Sequence, residues 1–394
     1  MQGTILRNFH ILRGLANYHA VHLLSFSHGT PDIGNSGRGP LAELCAELTE
    51  IPPPSRTWMR RFHHFILDSR PDLAHRLRST LLEVQLKSLL AANAFELVQV
   101  EGLELAHAIP IIRQASPESK IVFDNHNAEA QLQHRAFLAD IRALDRWPAA
   151  FYSLVQARRL RRYERSACLS SDGVSVVSEE DKEYLKRLAP RLDPVVVPNC
   201  IDVRQYQNLP EDPDRCFDVI FIGKMDYRPN VDAMLWFGEQ VWPNILRRLP
   251  GATWAIVGQK PHRRLERLTE LPGVTVTGRV PRVQPYLASG RVYVMPFRIG
   301  SGTRLKLIEA LAAGKAIVST TLGAEGIPVE NGKHLLLADD PDRFTEAVLR
   351  LLSSNEERQA LARSAERLAE TYDWRRVVPR FNVLYSQLVP SYVP

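Results

Sequence analysis

Residues 295–314, MPFRIGSGTRLKLIEALAAG, constrain this chain more than any other stretch. A short apolar run stops at a Gly-Ser-Gly loop and an amphipathic run follows. Leu305, Ile308 and Leu311 recur at helical spacing, which predicts a helix with one buried face after Thr303, and Thr303 is its candidate N-cap. Arg304 and Lys306 then fall in the first turn. Two cations are unfavourable there, because a helix N-terminus already carries partial positive charge. A bound anion removes the conflict. Backbone N–H groups following Gly300, Ser301 and Gly302, two cations and the helix dipole together make a phosphate site. Glu309 lies one turn beyond Lys306 on the same side, placed to accept hydrogen bonds from vicinal hydroxyls such as those of a ribose. The plain alternative is a solvated face with a weak ion pair.

The chain has 394 residues, too many for one ordinary core, so two domains are expected. Its 45% apolar and 24% charged content are those of a globular protein. No apolar run is long enough to span a bilayer, and the opening MQGTILRNFHILRGL is broken by Arg7, His10 and Arg13, unlike a signal peptide. A cytoplasmic location is therefore expected. Cys45, Cys168, Cys200 and Cys216 are scattered without a CxxC pair, so reduced thiols are expected and no metal site. The net charge of +6 suits an anionic substrate, an anionic membrane surface or a nucleic acid.

Along the chain, Ile5, Phe9, Leu12 and Leu15 predict a helix, and 20–26 a buried strand. Residues 29–54 read as loop around a short helix at 41–48. Helices at 58–65 and 73–92, a strand at 95–100, a helix at 106–115 and a strand at 119–124 follow. A basic helical region, 129–165, interrupted near Trp147-Pro148, carries Arg158, Arg159, Arg161, Arg162 and Arg165 beside Phe151, Tyr152 and Tyr163. No nucleic-acid reading module accompanies it. A solvated face is the plain reading and contact with anionic lipid the functional one. Strands at 173–177 and 194–197 flank a helix at 179–188, and the polar stretch 198–213 is the best domain boundary. The alternation then restarts: strands at 217–222, 253–257, 274–277, 292–295 and 316–319, with helices at 231–248, 342–352 and 356–372. Two doubly wound α/β domains are predicted, with the loops at Gly223, Gly258, Gly278 and Gly300 gathered on one rim.

Residues 217–326 resemble the donor-binding domain of the retaining glycosyltransferases of family 4, enzymes of the two-domain GT-B fold. The likeness rests on FIGKMDYRPNVDAMLWF, VTVTGRVPRVQPYL and GSGTRLKLIEALAAGKAIVSTTLGAEGI. VFDNHNAE, RYERSACLSSDGVSVVSEED and VPNCID extend it into the first half, and the nearest likeness is to transferases that assemble bacterial exopolysaccharides. The resemblance implies two Rossmann-like domains facing across a cleft: an acceptor-binding domain over 1–202, a nucleotide-sugar domain over 203–372, and a C-terminal helix, 373–394, returning to the first. It implies that Glu309 holds the ribose and that Arg304 and Lys306 face the diphosphate of a UDP- or GDP-linked sugar. Gly223 and Lys224 take the places of a phosphate-side glycine and cation, and Arg228 is the other cation of that loop. Gly278, Arg279 and Val280 correspond to backbone that reads the base. His126 matches a histidine aimed at the transferred sugar. The acceptor would be a glycan or a lipid-linked saccharide, with peripheral contact to an anionic membrane at its inner face, and no metal or other cofactor is required.

This sequence departs from the family pattern at Ser301, where a second Glu is usual, and at Cys200, where Gly is usual. Two rival functions are a nucleotide-sugar epimerase, for which His126 has no evident acid–base partner, and a non-catalytic nucleotide-sugar-binding or scaffold subunit. Family members open on a strand and a Gly-rich loop, whereas Met1-Gln2-Gly3 leads directly into a helix. An unfilled central position or an exposed strand edge is therefore expected in the first domain's sheet.

Overall fold

The computed structural model describes residues 3–27, 39–141, 147–210, 216–300 and 302–390. They form two compact units, one of Arg7–Pro198 with Val377–Pro394, the other of Met1–Leu6 with Asn199–Arg376. The division passes through helix α1 (Gly3–Leu15).

In the first of these units, β1 (His22–Phe26) pairs in parallel with β2 (Glu47–Ile51), and the two form a sheet by themselves. Strand β2 corrects the helix expected at 41–48; the helix there ends at Leu44. ELTEI carries no strong strand signal, and its pairing with β1 decides its conformation. Four parallel strands make a second sheet, in the order β3 (Leu97–Glu101), β4 (Lys120–Asn125), β5 (Gly173–Val176) and β6 (Val195–Val196). Among the described residues no strand joins the two sheets, so β1 and β3 are each paired on one side only.

Helix α2 (Trp58–Leu67) is capped by Thr57, whose side chain accepts from the Arg60 N–H. The basic region comprises α3 (Glu129–Asp140) and α4 (Trp147–Leu169), with Pro148 in the first turn of α4, where its missing N–H is tolerated. Ile109, Ile112, Ile121, Phe123, Leu160 and Val176 are central to this unit's core.

The other unit has one continuous parallel sheet of six strands: β7 (Phe217–Ile222), β8 (Trp254–Val257), β9 (Val274–Val276), β10 (Gly290–Met295), β11 (Ala316–Ser319) and β12 (Leu336–Leu337). Their spatial order is β12-β11-β10-β7-β8-β9. Chain progression from β7 runs toward β8, while from β10 it runs toward β11. The direction of winding thus reverses between the paired neighbours β7 and β10. Helix α5 (Arg228–Trp236) follows β7 and continues through a π turn, Phe237–Val241, into Trp242–Arg248. The helix expected at 231–248 thus starts earlier, at Arg228. Helix α6 (Leu305–Ala312) follows β10 and buries Leu305, Leu307, Ile308 and Leu311.

The chain ends its described part with α7 (Pro379–Leu388), which belongs to the unit of β1–β6. Phe381 and Leu384 are buried, Leu384 and Leu388 close over Gly173, and the Tyr385 hydroxyl donates to Gln99.

Candidate functional site

In open parallel sheets, ligands bind beyond the carboxyl ends of the strands at the point where the winding reverses. Here that point lies between Ile222 at the end of β7 and Met295 at the end of β10. The loops leaving these two strands lead into α5 and α6. Gly300 makes the close approach between them: it has φ of +99°, and a Cβ there would lie 3.3 Å from the Arg304 guanidinium and 3.4 Å from Pro229 of α5. Gly302 also takes a positive φ, +81°, a conformation that glycine adopts without strain. Ser301 lies outside the described residues.

Helix α6 begins one residue later than the sequence suggests. Its first helical residue is Leu305 and its N-cap is Arg304, with no side-chain cap bond, so Thr303 is not the cap. The Thr303 hydroxyl reaches instead toward the Gly326 carbonyl at 3.5 Å. Arg304 therefore stands at the cap and Lys306 in the first turn. Arg304 donates to the Leu322 carbonyl at 2.6 Å and lies over the Phe297 ring at 4.6 Å.

Lys306 sits over the rings of Phe221 and Phe297, at 4.9 and 5.2 Å, and donates to Asn230 Oδ1 at 2.7 Å. The Asn230 amide in turn donates to the Lys224 carbonyl at 2.8 Å. Buried Asn230 thus joins the β7 loop, α5 and α6. A Cβ on Gly223 would come within 2.9 Å of the Lys306 ammonium and 2.8 Å of the Asn230 amide, so a side chain there would displace both groups. Burial, reinforced by the Arg304 charge and opposed by Glu309, lowers the Lys306 pKa to about 7. Part-buried Lys306 and Arg304 thus form a cationic pair that Glu309 offsets only in part.

Glu309 accepts from the Tyr206 hydroxyl at 2.6 Å, and burial raises its pKa against that hydrogen bond and the Lys306 charge. Lys224 lies 3.4 Å from Asp226. Arg228 is exposed and is the first residue of α5, not a loop residue as its surroundings suggested. Gly278, with φ of +69° and open space where a Cβ would go, and exposed Arg279 follow β9, two strands away from β7; Val280 packs on the core. No direct contact ties this trio to Lys306 among the described residues.

His126 belongs to the other unit, just beyond β4. Its Nε2 lies 2.7 Å from Glu101 and 3.4 Å from Asp124. Fully buried Asp124 is bound by Arg7 at 2.5 Å and accepts from the Ser175 hydroxyl at 2.7 Å. Burial works against the charged ring, but hydrogen bonds to Asp124 and Glu101, and their charges, raise the His126 pKa to about 9. The imidazole is a cation at neutral pH. Asp124 is held well below the usual carboxylate range: its burial is outweighed by Arg7 and by His126. Glu101, Asp124 and His126 bring three ligand atoms within 4.8 Å of one another, the grouping of a cation site. The Arg7 guanidinium already supplies the positive charge at Asp124, so the group is read as an ion-pair network around His126. Next to it, Asn125 donates to Glu164 at 2.9 Å, and burial pushes Glu164 up to about 7.

Sequence reasoning missed Tyr206, Asn230, Glu101, Asp124 and Arg7. Asp124 had a signal, a carboxylate inside an apolar strand. The others lie 25 to 117 residues from the groups they hold.

Residues 7–205 match the family described as Glycosyltransferase Family 4, and residues 216–354 match Glycosyl transferases group 1. An uncharacterized 44.6 kDa protein in the cps region of Klebsiella pneumoniae is 22% identical over 64% of this chain and 65% of its own length. The phosphatidyl-myo-inositol mannosyltransferase of Mycolicibacterium smegmatis is 29% identical over 49% of this chain and 52% of its own length. The chain thus spans less than two thirds of these relatives. Anabaena Alr3699/HepE, solved with UDP and glucose, superposes with a TM-score of 0.63 at 13% identity, covering 100% of this chain and 96% of that one. A sucrose-phosphate synthase from Thermosynechococcus elongatus gives a TM-score of 0.68 at 16% identity, over 97% and 92%. With both halves matched and a parallel α/β unit in each, the chain belongs to glycosyltransferase family 4 and has the GT-B fold.

Proposed function

We propose that this protein is a retaining glycosyltransferase that moves a hexosyl group from a UDP- or GDP-linked donor to a lipid-linked or polysaccharide acceptor, in exopolysaccharide or cell-surface glycan assembly. One observation carries the reading: half-buried Lys306 lies over two aromatic rings, with Arg304 beside it, at the N-terminus of α6 where the sheet reverses its winding. That is a seat for a diphosphate. Glu309 would receive the ribose hydroxyls, with Tyr206 holding the carboxylate in place until they arrive.

In the step proposed, the bond between the sugar's anomeric carbon and the diphosphate oxygen breaks, and the nucleoside diphosphate departs with the electron pair. The acceptor hydroxyl forms its new bond on the same face and passes its proton to the departing phosphate. Fixed cations at the leaving oxygen stabilise the charge as it grows, so no metal is assigned to the reaction. With Nε2 taken by two carboxylates, the His126 cation keeps Nδ1–H to orient a sugar oxygen. The cps-region relative and the lipid-modifying mannosyltransferase support the proposed acceptors, and the UDP complex of the Anabaena protein supports the donor. Peripheral contact with the inner face of a membrane follows from a lipid-linked acceptor.

The test is release of free nucleoside diphosphate from a panel of UDP- and GDP-sugars with a lipid-linked acceptor. Turnover with one donor, abolished in Lys306→Ala, is expected. Thermal stabilisation by a nucleotide sugar with no release under any acceptor would favour the non-catalytic binding subunit, for which Ser301 in place of the usual carboxylate is the sequence argument.

A further inference from the structure

Strands β3 and β4 pair in parallel with Glu101 directly opposite Asp124. Two carboxylates at one register position repel each other unless a cation comes between them. His126 supplies it, with Nε2 at 2.7 Å from Glu101 and 3.4 Å from Asp124. The two acids are not held alike. Asp124 is fully buried and fixed by Arg7 and Ser175, whereas the Glu101 side chain is 28% exposed. A half-buried glutamate in this place has two other courses: it can turn to solvent, or swing toward the Arg7 guanidinium, already 4.0 Å away. A further group must keep it on His126.

Gln99 stands two residues earlier on the same face of β3. Its amide nitrogen donates to Glu101 Oε1 at 2.5 Å, so the carboxylate gives one oxygen to Gln99 and the other to His126. The Gln99 amide oxygen in turn accepts from the Tyr385 hydroxyl. Tyr385 belongs to α7, where it is buried, stacked on Phe381 at 5.7 Å and edge-on to His19 at 6.1 Å. The amide can stand only one way round. Reversed, its oxygen would face the carboxylate, acceptor against acceptor. The donors therefore all point the same way, from Tyr385 through Gln99 to Glu101, and the last bond gains from the carboxylate charge.

We infer that Gln99 and Tyr385 are positioning residues for His126: through Glu101 they hold the imidazole by Nε2 and so fix the direction in which Nδ1–H is offered. That Nδ1–H meets the transferred sugar rests on the function proposed above; the relay from α7 to His126 does not.

The experiment compares Gln99→Met, Tyr385→Phe and the double variant in the full chain. Gln99→Met keeps the reach of the side chain and removes both of its bonds, while Tyr385→Phe removes one hydroxyl and leaves the ring on Phe381. With isotope-labelled histidine, and His126→Gln to assign the signal, the His126 Nε2–H resonance should be protected from exchange with water in the parent chain. It should exchange about tenfold faster or more in Gln99→Met and about fivefold faster in Tyr385→Phe, since a bond to a charged group is the stronger. In turnover, kcat should fall by the same order while KM for the nucleotide sugar stays within about twofold, because neither residue belongs to the proposed diphosphate seat. Both substitutions act through one carboxylate, so the double variant should match Gln99→Met alone. An unchanged His126 signal in either single variant, or effects of the two that multiply, overturns the relay and leaves Gln99 and Tyr385 as packing residues. Should Gln99→Met fail to fold, Tyr385→Phe carries the test, as it removes a single oxygen atom. No release of nucleoside diphosphate by the parent chain from any donor sinks the transferase, and the resonance still decides the relay.

Discussion

The two units use the same parallel strands and end with different interiors. Val219–Phe221 of β7, all of β8 and Val292–Met295 of β10 are buried, whereas all five residues of β1 are half-buried and β3 buries only Val100. The difference follows from pairing. Strands β7, β8 and β10 have neighbours on both sides, while β1 and β3 each have one. A parallel strand is sealed only when both edges are paired and both faces are covered. The continuous sheet therefore sets the proposed diphosphate seat above buried strands, and the divided one keeps His126 in place largely through charge.

The largest test of this contrast is packing. Trp254→Ala removes a fully buried ring that meets Phe237 and Trp242, and should cost ~3–5 kcal/mol. Leu24→Ala in β1 should cost less than ~1.5 kcal/mol, because its side chain is only partly removed from water. Urea melts of the two variants decide, and equal losses would break the comparison.

Charge is the second test. Asp124→Asn strands buried Arg7 beside the His126 cation and should destabilise its unit by ~3 kcal/mol or more. The native Asp124, with its lowered pKa, contributes stability that is present above the usual carboxylate range and lost as pH falls below it. His126 is raised to about 9, so its contribution is full below the ordinary imidazole pKa and fades as pH rises through about 9. Thermal melts across pH should show both slopes in the parent chain and a flatter profile in Asp124→Asn.

On the continuous sheet the expected effects are on binding. Lys306→Ala should weaken nucleoside diphosphate binding by ~1.5–3 kcal/mol in calorimetry. Because Lys306 titrates near 7 when free, the folded state holds fewer protons than the unfolded chain between that value and the ordinary lysine range, and this group favours folding more as pH rises through the window. A bound anion restores the charge. Nucleotide binding above about pH 7 should then take up a proton and weaken with rising pH. Calorimetry in buffers of different ionisation enthalpy would detect the uptake, and none would place the phosphates elsewhere.

The smallest effect is expected at Tyr206→Phe. It frees Glu309 from one hydrogen bond and should change nucleotide affinity by about 1 kcal/mol. No change for Glu309→Gln as well would make Glu309 structural.

By itself the sequence determined that the chain is two α/β units and that residues 295–314 form a strand, a glycine loop and a helix. These follow from local periodicity and from glycines whose backbone no other residue adopts easily. It also marked Lys306, Glu309 and His126 as chemistry in apolar surroundings. It mislaid the cap of α6 by one residue and the strand β2 entirely, since caps and edge strands are settled by contacts outside their own windows. Only the tertiary structure decided that Asn230 and Tyr206 hold Lys306 and Glu309, that Arg7 neutralises Asp124, and that α2 turns its apolar face outward. Amphipathicity says that a helix has two faces; which one docks depends on residues such as His75, Asp72 and Tyr152, which fold against it from elsewhere in the chain.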